Sequence, residues 1–175
     1  MPRNTEIKAR VSDLQALRAR VASLVTGDAP QVLHQTDTFF VVAQGRLKLR
    51  QFDDGSGELI FYRREDRPGP KQSFYVRSPC HDPKTLREAL GGALGIRGVV
   101  EKRREVFLLG PTRIHLDEVR GLGSFLELEV VLEEGQPHAE GERIARELLH
   151  QLGIREPSLV SGAYIDLIEK QEAHF

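Results

Sequence analysis

Residues 124–132 read SFLELEVVL and alternate between apolar and acidic side chains. Successive side chains of a β-strand point to opposite faces, so the leucines and the valine at position 130 share one face. Glu127 and Glu129 share the other face. Residues 46–50 read RLKLR and repeat the pattern with basic residues. Both stretches therefore predict strands that have one apolar face and one charged face.

Six further segments have the features of short strands. They are rich in alternating or β-branched residues and are bounded by turn signals such as Gln44-Gly45 and Gly110-Pro111. Most neighbours are joined by links of hairpin length. The eight predicted strands cover residues 5–11, 37–43, 46–52, 58–63, 73–77, 99–109, 113–119 and 124–132.

Four other segments are predicted to be helical. The first two have apolar residues at helical spacing, and the fourth is a short closing turn. The first of them opens with Ser12 followed three residues later by Gln15, which resembles a capping box. The second opens with Asp82 as N-cap and Pro83 in the first turn. Three leucines at helical spacing, Leu86, Leu90 and Leu94, predict that this second helix has a buried stripe. The four predicted helices cover residues 12–27, 82–95, 138–152 and 163–170.

The order of these elements decides between fold classes. Eight short strands with hairpin links favour an antiparallel α+β fold, because a doubly wound parallel sheet would need more crossover helices. If the sheet closes into a barrel, eight strands leave an interior that holds side chains or one small ligand. The chain has 175 residues, which suits one domain. We therefore expect residues 1–175 to form a single domain, an eight-stranded antiparallel closed β-barrel with helices packed outside.

Composition limits the possible partners. Hydrophobic residues make up 39% of the chain and charged residues 29%, and the formal net charge is −1. With a pI near 6.6, no global field is present to hold nucleic acid or an anionic membrane, so any anion site must be local. A single cysteine, Cys80, excludes an internal disulfide and is typical of a reducing compartment. No secretory h-region or apolar stretch of about 18 residues is found, and we expect a cytoplasmic location.

The charged strand faces are segregated by sign. Cations gather on the third, fourth and sixth predicted strands, and acids gather on the seventh and eighth. One interpretation is that these charges form the solvated side of an open sheet. However, strands with a solvated face usually carry both signs of charge, so that cross-strand neighbours attract each other. The separation of basic and acidic strands therefore favours an enclosed site. The carboxylates on the acidic strands offer the oxygen ligands that Mg²⁺ or Mn²⁺ prefers. The Arg and Lys side chains on the basic strands can neutralise phosphate oxygens.

Several motifs, in this order, resemble the CYTH or triphosphate tunnel superfamily, which includes class IV adenylate cyclases, thiamine triphosphatases and tripolyphosphatases. Asn4-Thr5-Glu6-Ile7-Lys8 matches the family's Glu-x-Glu-x-Lys signature, with the first acid replaced. The segments RLKLR (46–50), FYR (61–63) and EKRR (101–104) resemble its basic strands. The run IHLDEV (114–119), then GLG (121–123) and FLELE (125–129), is most similar to the class IV cyclase branch.

This resemblance implies a tunnel open at both ends, two divalent ions (Mg²⁺ or Mn²⁺) and a basic wall that grips three phosphates. It implies that Asn4 weakens one metal site, because an amide oxygen is neutral. The implied metal ligands are Glu6, Asp117, Glu127 and Glu129. The implied substrate-binding residues are Lys8, Lys48, Arg50, Arg63, Lys102 and Arg104. The implied catalytic residues are Lys8, Glu6 and Glu129.

Three functions stay open on these residues. The first is a class IV adenylate cyclase-like lyase that converts ATP to cyclic AMP and pyrophosphate. The second is a hydrolase, a triphosphatase for tripolyphosphate, thiamine triphosphate or a nucleoside triphosphate. The third is a non-catalytic nucleotide or polyphosphate sensor, suggested by Asn4. In each case the partner is a small-molecule triphosphate, and a homodimer is the commonest oligomeric state.

Other chemistry is disfavoured. His115 lies two residues from Asp117, but zinc normally needs a fuller set of His and Cys ligands, so a histidine that lines the tunnel or its rim is the favoured interpretation. The cluster Lys102-Arg103-Arg104 is flanked by acids and split between faces, which argues against nucleic-acid binding. Tyr164 is expected either to cap the tunnel or to pack in the core.

Overall fold

The computed structural model describes residues 1–173, and the predicted end of the domain at residue 175 lies outside them. The strands are β1 (Arg3–Arg10), β2 (Gln31–Phe40), β3 (Arg46–Phe52), β4 (Gly57–Arg64), β5 (Lys71–Cys80), β6 (Ile96–Leu109), β7 (Thr112–Val119) and β8 (Gly123–Leu132). The α-helices are α1 (Leu14–Leu24), α2 (Pro83–Leu94), α3 (His138–Gln151) and α4 (Tyr164–Ala173), and a 3-10 turn spans Glu156–Ser158.

The eight strands form a closed barrel in the order β1-β5-β4-β3-β2-β6-β7-β8. Each neighbouring pair is antiparallel, and β1 closes the ring against β8 with Glu6 opposite Glu129 and Lys8 opposite Glu127. The predicted α+β fold with a closed antiparallel barrel is therefore confirmed. This order places β8 and β1 across the barrel from β3 and β2, so the acids and the cations face each other.

The main hydrophobic core lies outside the barrel. Apolar side chains on the outer faces of β1, β7 and β8 pack against α1 and α3, because strand alternation sends their charged neighbours inward. Burial of these side chains stabilises the fold by about 1.5–3 kcal/mol each. The fully buried members include Ile7, Val21, Ile114, Leu116, Leu126, Leu128 and Leu152.

A second apolar cluster covers one end of the barrel. Ala163, Tyr164 and Ile165 at the start of α4 pack against inward-facing Phe39 and Phe125. The Tyr164 and Phe125 rings meet edge to face with their centroids 5.0 Å apart. Tyr164 therefore packs in the core, which is one of its two predicted roles, and its side chain also borders the cavity. Capping of the tunnel stays a prediction.

Three local predictions differ from the structure. Strand β2 begins at Gln31 rather than at residue 37. The N-cap of α1 is Asp13, whose side chain accepts from the Ala16 amide, rather than Ser12. The predicted buried stripe on α2 is wrong: Leu94 is 39% exposed, and the other two leucines are only half-buried. The predicted cap of α2 is confirmed, because Asp82 accepts from the Thr85 amide.

No helix within residues 1–173 combines the length and the apolar character that crossing a membrane requires.

Candidate functional site

The charged faces of the strands enclose a cavity along the barrel axis. Its volume in the middle of the barrel is about 90 Å³, several times the space that one water molecule occupies on this measure. Side chains from all strands except β7 line it. The lining residues include Asn4, Glu6, Lys8, Asp37, Lys48, Arg50, Arg64, Lys102, Arg104, Glu127 and Glu129.

One side of this cavity, which we name the basic wall, consists of Lys48, Arg50, Lys102 and Arg104. Asp37 on β2 lies between the strands that carry them. Arg50 donates to both of its carboxylate oxygens at 2.8 Å, and Lys48 and Lys102 donate to Oδ2 at 3.1 and 3.0 Å. One buried carboxylate thus holds three cations in place.

Burial shifts the protonation of these groups. Burial alone would raise the pKa of Asp37, but the charges of Arg50, Lys102 and Lys48 hold that pKa well below its ordinary value. Burial lowers the pKa of Lys48 to about 8, with the nearby Arg50 acting in the same direction. Burial also lowers the pKa of Lys102 well below its ordinary value. The wall therefore gains charge when an anion enters.

Arg104 has its own anchor. It donates to both oxygens of Asp117 at 2.7 and 2.8 Å, and Tyr164 donates to Oδ2 of the same carboxylate at 2.6 Å. Asp117 has no exposed surface and does not line the cavity. The predicted metal ligand Asp117 thus lies outside the cavity lining and holds the guanidinium of Arg104 in position. A metal-binding role for Asp117 stays a prediction.

The opposite side, which we name the acidic wall, consists of Glu6, Glu127 and Glu129. Asn4 donates to Oε1 of Glu129 at 2.7 Å. Arg64 donates to Oε1 of Glu6 at 3.1 Å. Burial would raise the pKa of Glu127, but the charge of Lys8, 3.7 Å away, and that of Arg104 hold it well below its ordinary value. Glu127 is therefore an anion in the empty tunnel.

Lys8 lies where the two walls meet. Its Nζ donates to the Gly162 carbonyl at 3.3 Å and lies 3.9 Å from the centre of the Tyr164 ring. Burial lowers the pKa of Lys8 to about 7 against the opposing charge of Glu127. Lys71 is also completely buried, donates to the Arg67 carbonyl at 3.0 Å and has its pKa lowered by burial to about 8. Lys8 is therefore close to half-neutral at pH 7, whereas Lys71 becomes half-neutral only near pH 8.

The placement of Arg63 is a correction. Arg63 is exposed, whereas Tyr62 and Arg64 on either side of it face the cavity. Alternation along β4 requires this, because Ile60 and Tyr62 point inward and the next inward position is 64. Sequence reasoning missed Arg64 because it ended the strand at residue 63. The guanidinium atoms Nε and Nη2 of Arg64 are buried without a hydrogen-bond partner among the described residues.

Asp37, Lys71 and Tyr62 are further cavity or anchoring residues that sequence reasoning did not assign. Asp37 could have been found because it lies on the strand next to the basic run at residues 46–50. It was missed because the predicted second strand began at residue 37, and its inward face was not assigned. The structure brings together the remaining predicted residues on the basic and acidic walls and Lys8. It bonds Asp117 to Arg104, while Arg63 lies apart and exposed. Their roles stay predictions.

A divalent ion fits the acidic wall. His115, Glu127 and Glu129 each place one ligand atom within 4.8 Å of the others. Glu6 does not belong to this group, and its carboxylate pairs with Arg64. Carboxylate oxygen and imidazole nitrogen are donors that divalent ions accept.

The end of the barrel away from α4 opens into a wider cavity of about 590 Å³. Its wall is partly apolar and includes Leu33, Phe52, Val106 and Phe107, with Arg113 and the side chains of Arg50 and Arg104 on its inner side. Gln35 is buried there, and its Oε1 has no hydrogen-bond partner among residues 1–173. An organic group attached to an anion has room at this mouth.

Known proteins with the same architecture include enzymes named for nucleotide chemistry. Adenylate cyclase CyaB from Aeromonas hydrophila is 25% identical over 179 residues, covering 94% of this chain and 88% of that protein. The structure of the PH1012 protein from Pyrococcus horikoshii OT3 superposes with a TM-score of 0.83 at 23% identity, covering 94% of this chain and 98% of that one. HpAC1 from Hippeastrum, an adenylyl cyclase candidate described as having a dominant triphosphatase activity, superposes with a TM-score of 0.65 at 16% identity, covering 93% and 92%. The two structural likenesses establish a common fold.

The family model described as the CYTH domain matches residues 2–164, which is nearly the whole chain. This match agrees with the closed barrel, the basic wall and the acidic wall described above, and it confirms the resemblance carried by the sequence motifs. The chain belongs to the CYTH domain family.

Proposed function

We propose that this protein is a divalent-metal-dependent enzyme that converts ATP to cyclic AMP and pyrophosphate. The observation that carries the proposal is the enclosure of the basic wall, Lys8 and Arg64 together with three carboxylates in one closed barrel. Buried charges of this density are costly unless partners compensate them. A triphosphate bound with metal supplies negative charge to the basic wall and positive charge to the acidic wall.

The phosphates are expected to bind along the basic wall. Asp37 accepts hydrogen bonds from three of the cations, so these side chains are held in position before any ligand enters. Arg64 offers two donors that have no partner, and a buried unpaired donor gains the most from an incoming phosphate oxygen. We assign substrate binding to Lys8, Lys48, Arg50, Arg64, Lys102 and Arg104.

The choice of ATP rests on the wider mouth and on the relative from Aeromonas hydrophila. A cavity of about 590 Å³ with an apolar wall beside the basic wall suits a nucleoside attached to a triphosphate. The protein named adenylate cyclase CyaB aligns with 94% of this chain.

The reaction forms a bond between the ribose 3′-oxygen and the α-phosphorus and breaks the bond from that phosphorus to the oxygen of the leaving pyrophosphate. A divalent ion, held by Glu127 and Glu129, would supply charge neutralisation and acidify the attacking hydroxyl. Lys8, with its pKa lowered to about 7, takes up the hydroxyl proton. The basic wall stabilises the negative charge that develops on the pyrophosphate. Lys8, Glu6 and Glu129 remain the proposed catalytic residues.

A second candidate is a triphosphatase. The same cavity would serve if water attacked the terminal phosphorus, because the residues of both walls contact phosphates and metal rather than the organic group. The Hippeastrum neighbour, described as having a dominant triphosphatase activity, favours keeping this candidate. Tripolyphosphate, thiamine triphosphate and nucleoside triphosphates are its substrates. A non-catalytic nucleotide or polyphosphate sensor is the third. For each function we propose a cytoplasmic location.

Product analysis tests these functions. The purified protein is incubated with ATP, tripolyphosphate or thiamine triphosphate, each with Mg²⁺ and with Mn²⁺, and the products are identified by mass spectrometry. Cyclic AMP and pyrophosphate from ATP support the proposal, whereas orthophosphate without cyclic nucleotide supports the triphosphatase. If Glu127→Ala or Glu129→Ala abolishes turnover, the sensor is excluded. Glu134→Ala, at an exposed position, is the control and should leave turnover unchanged. No turnover of any substrate contradicts both enzymes.

A further inference from the structure

His115 lies between the two carboxylates of β8. Its Nδ1 is 3.7 Å from Oε1 of Glu127, and its Nε2 is 4.0 Å from Oε2 of Glu129. The ring is opposite Glu127 in the β7–β8 register and only 4% exposed. Nδ1 nevertheless has no hydrogen-bond partner among the described residues. A buried nitrogen without a partner is costly, and here it faces an acid.

Asn4, on strand β1 next to β8, also has a buried polar atom without a hydrogen-bond partner among the described residues. It is 3% exposed, and its Nδ2 donates to Glu129 at 2.7 Å. This bond fixes the amide, and its Oδ1 is left buried without a hydrogen-bond partner in residues 1–173. An amide oxygen and a neutral imidazole nitrogen both offer a lone pair. An unpaired imidazole nitrogen thus lies beside the two carboxylates, and an unpaired amide oxygen belongs to a side chain that is bonded to one of them.

We propose that His115 is a direct metal ligand in a centre with Glu127, Glu129 and Asn4 Oδ1, and that this centre binds Mn²⁺ in preference to Mg²⁺. The proposal rests on the proposed function for the presence of a divalent ion and adds the ligand set and its selectivity. The 3.7 Å between Nδ1 and Oε1 of Glu127 allows one ion to contact both atoms, because such bonds measure about 2.0–2.2 Å. One oxygen of Glu129 also lies within 4.8 Å of the other two ligand atoms.

Ligand chemistry carries the selectivity. Mg²⁺ favours oxygen donors in near-ideal octahedral geometry and retains several waters, whereas first-row transition ions accept imidazole nitrogen readily. Asp117 is bonded to Arg104 and Tyr164, and Glu6 is paired with Arg64. Among the described residues, Glu127 and Glu129 are the carboxylates whose oxygens lie beside His115. The imidazole raises the relative affinity for Mn²⁺ where oxygen charge is limited.

A rival arrangement uses the same distances without a metal bond. A protonated His115 would bridge the two carboxylates as an ion pair, and any metal would then bind to oxygen alone. The two arrangements differ in whether a histidine nitrogen is coordinated, which can be measured on the ion itself.

The test uses the full chain loaded with Mn²⁺ in the absence of any triphosphate. Electron spin-echo envelope modulation of the bound Mn²⁺ is expected to show coupling to a histidine nitrogen. His115→Gln is expected to remove that coupling and to weaken Mn²⁺ binding at least tenfold, with Mg²⁺ binding changed less than threefold. His34→Gln, on an exposed histidine of β2, is the matched control and should change neither quantity. Asn4→Leu should weaken Mn²⁺ binding and retain the nitrogen coupling.

Absence of nitrogen coupling in the unmodified protein would overturn the proposal, and this reading does not depend on whether His115→Gln folds. An unchanged ratio of Mn²⁺ to Mg²⁺ affinity in folded His115→Gln would overturn it as well. Nitrogen coupling in a protein that turns over no triphosphate would support this centre and contradict the proposed function. Turnover of a triphosphate without nitrogen coupling would support the proposed function and contradict this centre.

Discussion

Asp37 and Arg50 lie opposite each other on β2 and β3 and are joined by two hydrogen bonds of 2.8 Å inside the barrel. Asp37 also accepts from Lys48 and Lys102. A single carboxylate thus neutralises part of the charge of three buried cations in the empty tunnel. It leaves a net positive wall for an anion.

Asp37→Asn is expected to destabilise the protein by about 3–5 kcal/mol, because three buried cations then lack their counter-charge. Urea unfolding measures the change, and Asp53→Asn on the exposed hairpin between β3 and β4 is the control. Tripolyphosphate should raise the melting temperature of Asp37→Asn more than that of the unmodified protein. A loss below 1 kcal/mol would contradict the role assigned to Asp37.

Arg64 and Arg63 provide a matched pair on opposite faces of β4. Arg64→Met should weaken triphosphate binding about 10–100-fold, because each charge-assisted hydrogen bond contributes about 1.5–3 kcal/mol. Arg63→Met should change the affinity less than twofold, since this side chain is exposed outside the cavity. Titration calorimetry gives both numbers, and a larger effect of Arg63→Met would place the phosphates elsewhere.

Triphosphate binding should take up protons at pH 8. The pKa values of Lys48 and Lys71 are both lowered to about 8 by burial, so these amines are partly neutral at that pH. Phosphate charge raises the pKa of each amine and draws protons from the buffer. At pH 6 the amines are already charged and take up few protons.

Calorimetry of tripolyphosphate binding in EDTA, in two buffers of different ionisation enthalpy, measures the number of protons. Lys48→Met should reduce the uptake at pH 8, and Lys84→Met on the exposed surface of α2 should not. Equal uptake at pH 6 and pH 8 would show that the amines do not titrate as described.

Tyr164→Phe tests the anchoring of Arg104. The substitution removes the 2.6 Å hydrogen bond to the buried Asp117 carboxylate and should cost about 1.5–3 kcal/mol of unfolding free energy. Affinity for triphosphate should change less than threefold, because Arg104 keeps both of its bonds to Asp117. Tyr75→Phe, another residue of the cavity wall, is the control. A large loss of affinity without loss of stability would mean that the hydroxyl contacts the ligand.

Alternation along strands predicted much of this site. The period of two is sufficient to place Lys48 with Arg50 and Glu127 with Glu129 inside, and the hairpin links predicted the antiparallel barrel. The prediction failed at Arg63 and Arg64 because the strand was ended one residue too early. Alternation from Ile60 and Tyr62 places Arg64 inside the barrel.

Other failures share a physical cause. Alternation gives the face of a side chain but not its partner, so the bonds that Arg104 and Tyr164 donate to Asp117 could not be predicted from the sequence. Helical spacing of Leu86, Leu90 and Leu94 predicted the helix but not whether another element covers it. His115 was predicted to line the tunnel or its rim rather than to bind zinc. Its position between two glutamates depends on strand register and could not be predicted from the sequence.

The central claim is that the barrel interior binds three phosphates. Its most direct test is the affinity of 3′-deoxy-ATP, 3′-deoxy-ADP and 3′-deoxy-AMP in the presence of Mn²⁺, since these nucleotides cannot form the cyclic product. We expect affinity to fall about tenfold or more for each phosphate removed, and Lys48→Met to weaken the triphosphate most. Equal affinity for the three nucleotides, unchanged by Lys48→Met, would contradict the claim.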